Sequence, residues 1–309
     1  MSWKRCCVTP PADLLLKDPA VEEWVDRRVF RPLGLGVVRL AAPTRLSADH
    51  LTLGCMLLGI VAGHLFFYRS VALNLLGLGL FLLSDVLDSA DGQLARLRGT
   101  TTRFGAVLDG ISDNVRFINL YAHLLARVLL SGQGPAVLWI GLAVAAGASQ
   151  ALQASIVDYL KQVFTFVTRG QARLDLPEDL VGERPATLGQ RIVLWLYRPY
   201  VARQVRWCPS STRVIREIRR GAAPPRTATE WRRTQAGPIA ATALIAQNIR
   251  FVLLAVSALP GWPQGFFWLT VGPLNLALLG ILLVHERNAG RIAGGAVEDA
   301  DLVHAGSPG

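Results

Sequence analysis

The sequence predicts an all-α polytopic membrane protein with six transmembrane helices, preceded by an amphipathic helix lying in the membrane interface. Three observations carry this expectation. The 309-residue chain is 51% hydrophobic and only 17% charged, with a mean hydropathy of +0.36, whereas a soluble domain carries about a quarter charged residues. Six apolar runs are separated by charged or Gly/Pro-containing stretches. Finally, the 32 Lys and Arg residues, which give the chain a formal charge of +10, fall almost entirely on one side of the membrane that these runs define.

The elements follow in order. MSWKRCCVTPP has no apolar run behind its charges, so a cleaved secretory signal is not expected. From Pro19 to Ala42, Trp24, Val25, Val29, Leu33, Val37 and Leu40 recur at helical spacing among charged residues, the pattern of an interfacial amphipathic helix. Its alternative is a soluble helix packed on its own domain. The predicted spans are residues 51–68, 70–84, 105–130, 135–157, 237–259 and 265–284. SGQG separates the third from the fourth, and PGWPQ the fifth from the sixth, both as hairpin turns. With a cytoplasmic N-terminus, 28 of the 32 basic residues lie on the cytoplasmic side, and a five- or seven-span count would spoil that asymmetry.

Domain organisation follows from the same runs. Residues 1–50 form an N-terminal tail and interfacial helix, 51–290 a six-span domain, and 291–309 a mobile polar tail. Within the domain, 161–235 is a basic cytoplasmic insertion with fifteen Lys and Arg against six Asp and Glu. Its interleaved aromatics (Trp195, Tyr197, Tyr200, Trp207) suit anionic lipid headgroups. A nucleic-acid arm has a similar composition, but attachment to membrane spans favours lipid and no nucleic-acid partner. Cys6, Cys7, Cys55 and Cys208 have no repeated spacing, which points away from a disulfide framework or a zinc site.

The chemistry concentrates in SDVLDSADGQLARLRGTTTRFGAVLDGISDN, residues 84–114. Charged residues at membrane depth are costly and mark function. Asp85, Asp88 and Asp91 are spaced by three at the end of the second span, and Asp109 and Asp113 by four at the start of the third. Each set therefore shares a helix face, and the turn between them lets the two faces meet. Carboxylates gathered at low dielectric need a compensating cation or must be partly protonated. No His, Cys or Lys stands among them in the sequence, so oxygen-loving Mg²⁺, Mn²⁺ or Ca²⁺ fit best. Two such ions about 4 Å apart suit in-line displacement at phosphorus. Gly92, Ala95 and Gly105 leave room for a ligand to approach the backbone, and Arg96 is placed to pair with a phosphate. Asp85 reads as a helix-end carboxylate in the headgroup layer.

The run Asp88-x2-Asp91-Gly92-x2-Ala95-Arg96-x8-Gly105-x3-Asp109-x3-Asp113 resembles the full signature of the CDP-alcohol phosphatidyltransferase family. The six-span layout, with the motif across spans two and three, extends the likeness over most of the chain. Leu46–Thr52 (LSADHLT) is similar to the family's Thr-Pro-Asn-x-x-Thr run, with Ser47-Ala48 replacing Thr-Pro and Asp49 replacing Asn. The insertion is longer than the family pattern.

The resemblance implies that Asp88, Asp91 and Asp109 hold two Mg²⁺ or Mn²⁺ ions, with Asp113 completing the second site and acting as general base. It further implies that Gly92, Ala95, Arg96 and Gly105 line the CDP site. A CDP-linked donor, CDP-diacylglycerol foremost, would pass a phosphatidyl or other phosphoalcohol group to an alcohol or polyol, releasing CMP. A homodimer in a bacterial inner membrane, with the active site facing the cytoplasm, is expected.

Thr102–Asp109 is similar to the matching run of enzymes that use inositol or inositol phosphate, and Glu23–Thr52 resembles enzymes joining inositol phosphates. Asn114 stands where the former carry Arg. Arg103, Arg116 and Arg250 are candidates to bind an acceptor or lipid phosphate; for Arg116, three residues past Asp113, a structural ion pair is the competing role. Two other readings remain: a choline/ethanolamine-type enzyme with diacylglycerol as acceptor, and an ion-conducting or transporting protein that uses the intramembrane aspartates.

Overall fold

The structure, a computed structural model, describes residues 20–170, 174–183, 185 and 187–305; side chains at 103, 106 and 295–305 fall outside the description. It is all-helical among the described residues and forms two compact units, residues 1–120 and 121–309. Five segments are long and apolar enough to cross a membrane: Ala48–Leu65, Val71–Arg98, Ala136–Arg169, Thr227–Ala258 and Gln264–Gly294. The protein is thus a multi-spanning membrane protein. The third run predicted from sequence is a single 27-residue helix, Arg103–Leu129, about 40 Å long, which is enough to cross. Its charges at Asp109, Asp113, Arg116 and Arg127 set it apart from the other five.

In the first unit, a π-helical turn at Asp26–Phe30 leads into α1 (Arg31–Ala41). Phe30, Gly34, Val38 and Ala41 form its buried stripe, while Leu33 and Leu40 face outward. This stripe packs on the C-terminal half of α3 (Val71–Arg98), where Val38, Ala41, Leu51, Ala90 and Leu94 share a core. Helical residues begin at Trp24, and residues 1–19 lie outside the described ones.

α2 (Ala48–Leu65) starts at Ser47, whose Oγ accepts from the His50 N–H at 3.3 Å, while His50 Nδ1 accepts from the Ser47 N–H at 3.1 Å. Two donors at the helix start, where the backbone has no intrahelical acceptor, are thereby satisfied. α2 packs along α3. Its Leu53, Leu57 and Val61, with Leu75, Leu76 and Leu82 of α3, remain on the outside, an apolar exterior that suits lipid.

α3 runs fourteen residues beyond the predicted end of the second span, because Ala, Leu, Gln and Arg in the motif continue the helix. Gly99 stops it. Its φ of +63° lies in the left-handed region that only glycine adopts cheaply, and the Thr100 N–H returns to the Ala95 carbonyl at 2.9 Å. Thr102 Oγ1 then accepts from the Gly105 N–H at 3.0 Å and opens α4 (Arg103–Leu129). The reversal between the two acidic helices therefore takes only four residues.

In the second unit, α5 (Ala136–Arg169) extends twelve residues past the predicted span end. The insertion folds as α6 (Pro177–Val181), α7 (Leu188–Trp207) and α8 (Pro209–Arg219). α9 (Thr227–Ala241) contains Pro238 and passes through a 3-10 turn at Thr242–Ile245 into α10 (Gln247–Ala258). α11 (Gln264–Val271) is broken from α12 (Pro273–Ala305) at Gly272, where Pro273 supplies no N–H to continue the ladder. α12 runs through residue 305, into the stretch read from sequence as a tail. Glu286 of α12 caps α8, accepting from the Ser210 N–H at 2.6 Å and the Ser211 N–H at 3.2 Å. An anion there also meets the positive end of the helix dipole.

Candidate active site

The acidic residues sit on the last turns of α3 and the first turns of α4, both within the first unit. Each Asp88, Asp91 and Asp109 offers a carboxylate oxygen within 4.8 Å of the other two. This is the meeting of faces that the three- and four-residue spacings predict. Asp91 is buried and accepts a hydrogen bond from Thr52 Oγ1 of α2 at 2.5 Å.

Arg116 lies beside this set. Its side chain is 2% exposed, and its guanidinium pairs with Asp85 Oδ1 at 3.2 Å, with Asp88 Oδ1 at 3.6 Å and with Asp113 Oδ1. It also donates to Ser84 Oγ at 2.7 Å, and Ser84 in turn donates to the Cys55 carbonyl at 2.8 Å. α2 makes room for the arginine stem at Gly59, where an added Cβ would stand 2.3 Å from Arg116 Cδ. The ion pair, one of the two roles read for Arg116 from sequence, is thus present. Asp85, read from sequence as a headgroup-layer carboxylate, points inward to the same guanidinium with 12% side-chain exposure.

Five carboxylates (Asp85, Asp88, Asp91, Asp109, Asp113) gather here, and Arg116 pairs with Asp85, Asp88 and Asp113. Asp88, Asp91 and Asp109 face one another with oxygen donors only, a set that fits Mg²⁺ or Mn²⁺. The structure adds one sulfur that the sequence motif lacks: Cys55 Sγ lies 3.9 Å from Asp88 Oδ1 and 3.3 Å from Ser84 Oγ. Buried against Ser84, it serves as a weak donor at the edge of the set.

The remaining predicted residues are placed as follows. Gly92 lies beside Arg96, and a Cβ on it would be 3.4 Å from Arg96 Nη1. Arg96 is within electrostatic reach of Asp91, Arg31 and Glu22, and Arg31 pairs with Glu22 at 2.9 Å. Ala95 accepts the Thr100 N–H that closes α3, and Gly105 starts α4 under the Thr102 cap. The Arg103 side chain lies outside the described ones.

Arg250 belongs to the second unit. It is 3% exposed, donating to Gln153 Oε1 at 2.6 Å, Gln150 Oε1 at 3.4 Å and the Ile245 carbonyl at 3.2 Å. All three are neutral acceptors. The glutamines are fixed in turn: Gln150 accepts from Tyr121 Oη at 2.9 Å, and Gln153 donates to Asn275 Oδ1 at 2.6 Å.

Two arginines escaped the sequence reading. Arg98 donates to the carbonyls of Ala41, Ala42, Thr44 and Leu46, clamping the chain between α1 and α2. Arg127 donates to the Ala258 carbonyl at the end of α10 at 3.3 Å. Both place a cation on C-terminal helix carbonyls, where the dipole favours it.

The family model described as CDP-alcohol phosphatidyltransferase matches residues 45–272, from the start of α2 to the break after α11. The chain belongs to that family. It is 28% identical over 163 residues to a phosphatidylinositol phosphate synthase from Corynebacterium glutamicum, a match covering 52% of this chain and 65% of that protein. It is 47% identical over 55 residues to a CDP-diacylglycerol–serine O-phosphatidyltransferase from Methanocaldococcus jannaschii, covering 18% of this chain and 27% of that protein. The chain thus spans a little under two thirds of the first relative's length and about a quarter of the second's.

Proposed function

We propose that the protein transfers a phosphatidyl or related phosphoalcohol group from a CDP-linked donor, CDP-diacylglycerol foremost, to the hydroxyl of an alcohol or polyol, releasing CMP. The observation that carries this reading is the convergence of Asp88, Asp91 and Asp109 from two helices, inside the segment matched by the family. These three, with Asp113, would hold two Mg²⁺ or Mn²⁺ ions, which when bound would offset the charge of the donor's pyrophosphate.

The chain's own groups account for the other steps. Asp113 takes the proton of the acceptor hydroxyl at a carboxylate oxygen. The hydroxyl oxygen then forms its bond to the phosphorus bearing the lipid, as the bond from that phosphorus to the CMP oxygen breaks. Arg116 orients Asp113 through their ion pair. Gly92, Ala95, Arg96 and Gly105 line the CDP site, with Arg96 meeting a phosphate. Arg103 and Arg250 are the arginines we assign to an acceptor or lipid phosphate. Buried Arg250 carries the stronger argument, because only neutral groups meet its charge among the described residues.

A polyol phosphate acceptor, inositol phosphate in particular, is supported by the likeness to a relative named for phosphatidylinositol phosphate and by the Thr102–Asp109 run. We further propose that α4 is the sixth span, which puts the acidic turn and the basic insertion on the same, cytoplasmic side. The helix ahead of α2 would lie in the interface, and anionic headgroups would face the insertion. A homodimer in a bacterial inner membrane completes the reading.

The test is CMP release by the purified protein in lipid. CDP-diacylglycerol is offered with serine, glycerol phosphate, inositol and inositol phosphate, and CDP-choline or CDP-ethanolamine with diacylglycerol in parallel. CMP formation with inositol phosphate is expected. CMP only in the CDP-choline or CDP-ethanolamine arms would reverse the role of the lipid, and ion flux without CMP would favour a transporter.

A further inference from the structure

The insertion contains a helix with two apolar faces. On its inner face, α7 buries Leu194, Val201 and Gln204, and Leu194 and Val201 form a core with Leu180 of α6. Gln204 Nε2 donates to the Ser155 carbonyl of α5 at 2.9 Å, and Tyr200 Oη donates to Asp158 Oδ2 at 2.7 Å. These bonds fix the height of α7. Asp158 is the first charge after the apolar run of α5, so α7 is tied to the level at which a membrane-crossing helix leaves hydrocarbon.

On its outer face, Leu188, Ile192 and Trp195 follow one another at four and three residues and are 73%, 50% and 74% exposed. That stripe is opposite the buried one. Arg191 and Arg198 flank it on one side and Arg203 on the other. α7 itself contains no acidic residue. Four of the insertion's six carboxylates are engaged elsewhere: Glu178 with Arg216, Asp179 with Arg219, Glu230 with Arg226, and Asp175 with Tyr197. Beside the stripe opens a groove of about 420 Å³ lined by Pro185, Arg191, Leu194, Trp195, Arg198 and Pro199. Two guanidiniums and an indole in one groove, next to an exposed apolar face at the membrane boundary, match an anionic headgroup joined to acyl chains.

We propose that this groove and the outer face of α7 bind an anionic phospholipid of the surrounding bilayer, with its phosphate at Arg191 and Arg198 and its chains along Leu188, Ile192 and Trp195. The site rests on the membrane-spanning part of the functional reading and is independent of the chemistry at the aspartates. It gives the enzyme a bound lipid held by residues outside the catalytic motif.

The experiment uses the full-length protein, purified in detergent and stripped of lipid, and counts bound lipid by native mass spectrometry. The probes are phosphatidylglycerol and phosphatidylcholine of identical chains. Phosphatidylglycerol should bind in preference. Each arginine near an anionic headgroup strengthens attachment about fivefold, so R191Q/R198Q should weaken phosphatidylglycerol binding roughly 30-fold and leave phosphatidylcholine unchanged. Arg198 also donates to the Leu180 carbonyl at 3.0 Å, so R191Q alone, at an exposed position, is the variant that cannot act through folding, with about a fivefold loss expected.

D113N should bind phosphatidylglycerol as the wild type does, which separates this proposal from the catalytic one. Equal binding of the two lipids, or indifference to both arginine variants, overturns it. So does displacement of the lipid by millimolar inorganic phosphate, which would mark a site for free phosphate. A fall in oligomeric mass for Trp195→Ala would assign the face to a second copy of the chain and overturn it as well.

Discussion

Arg116 and Arg250 are both buried arginines in helices of an apolar protein, yet their surroundings are opposite. Arg116 meets three carboxylates and a serine hydroxyl. Arg250 meets two glutamine oxygens and a backbone carbonyl. A buried charge is tolerated when paired and hydrogen-bonded, and is expensive otherwise. Arg116 is thus bound to its own protein, as a positioning group for the acidic set. Arg250 is hydrogen-bonded but not neutralised by a carboxylate among the described residues, the arrangement expected where the matching anion arrives with a ligand. Under the proposed function, Arg116 serves the acidic set and Arg250 the binding of an anionic ligand.

The largest effect should come from the carboxylates that Arg116 positions. D113N should lower CMP release about 10²–10⁴-fold while membrane insertion and thermal stability stay close to wild type. Equal turnover in D113N and wild type would break the acidic half of the comparison.

R116Q comes next and acts on stability. It leaves Asp85, Asp88 and Asp113 without their shared partner, at a cost of about 3–5 kcal/mol. Gly59→Ala should act in the same direction at about 1–3 kcal/mol, because the new Cβ meets the Arg116 stem. Thermal unfolding in detergent measures both. An R116Q protein as stable as wild type would show that Arg116 is no structural pair.

R250Q should do the reverse. It removes a charge that has only neutral partners, so little stability is lost, but the KM for a phosphorylated acceptor should rise about tenfold or more with a smaller change in kcat. A loss of stability like that of R116Q, with KM unchanged, would erase the contrast.

The smallest effect belongs to the surface pairs of the insertion. The hydrogen bond from Arg216 holds the Glu178 carboxyl below its ordinary value. At Asp179, partial burial acts upward but is outweighed by the Leu176 N–H and Arg219, so the net shift is also downward. Both contributions are therefore present above the ordinary carboxylate pKa of about 4 and are lost as pH falls through the lower folded values. These groups are well exposed, so acidification should cost less than about 1 kcal/mol here. The E178Q/D179N protein should show a correspondingly flatter acid limb in thermal unfolding.

What the sequence revealed follows a physical pattern. The aspartates were legible because helical spacing alone puts them on shared faces, and a charge at membrane depth needs a reason. The run lengths of five spans were legible for the same reason, whereas the ends were not. α3 and α5 continue well past their apolar runs because helix propensity, not hydrophobicity, sets where a helix stops. The breaks at Thr242–Ala246 and Gly272 fell inside apolar runs and gave no periodic signal, although Pro238 and Pro273 stood nearby. Arg98, Arg127 and Glu286 were missed because their partners are carbonyls and amides far along the chain, which no local pattern encodes.

The most direct test of the central claim is CMP release from CDP-diacylglycerol and inositol phosphate by the full-length protein in lipid, measured for wild type, D113N and R250Q with and without EDTA. The account predicts CMP from wild type, none with EDTA and recovery with Mg²⁺ or Mn²⁺. It also predicts near-silence from D113N, and for R250Q turnover that returns at high acceptor concentration. CMP released at the wild-type rate by D113N, or by the wild type in EDTA, would contradict it.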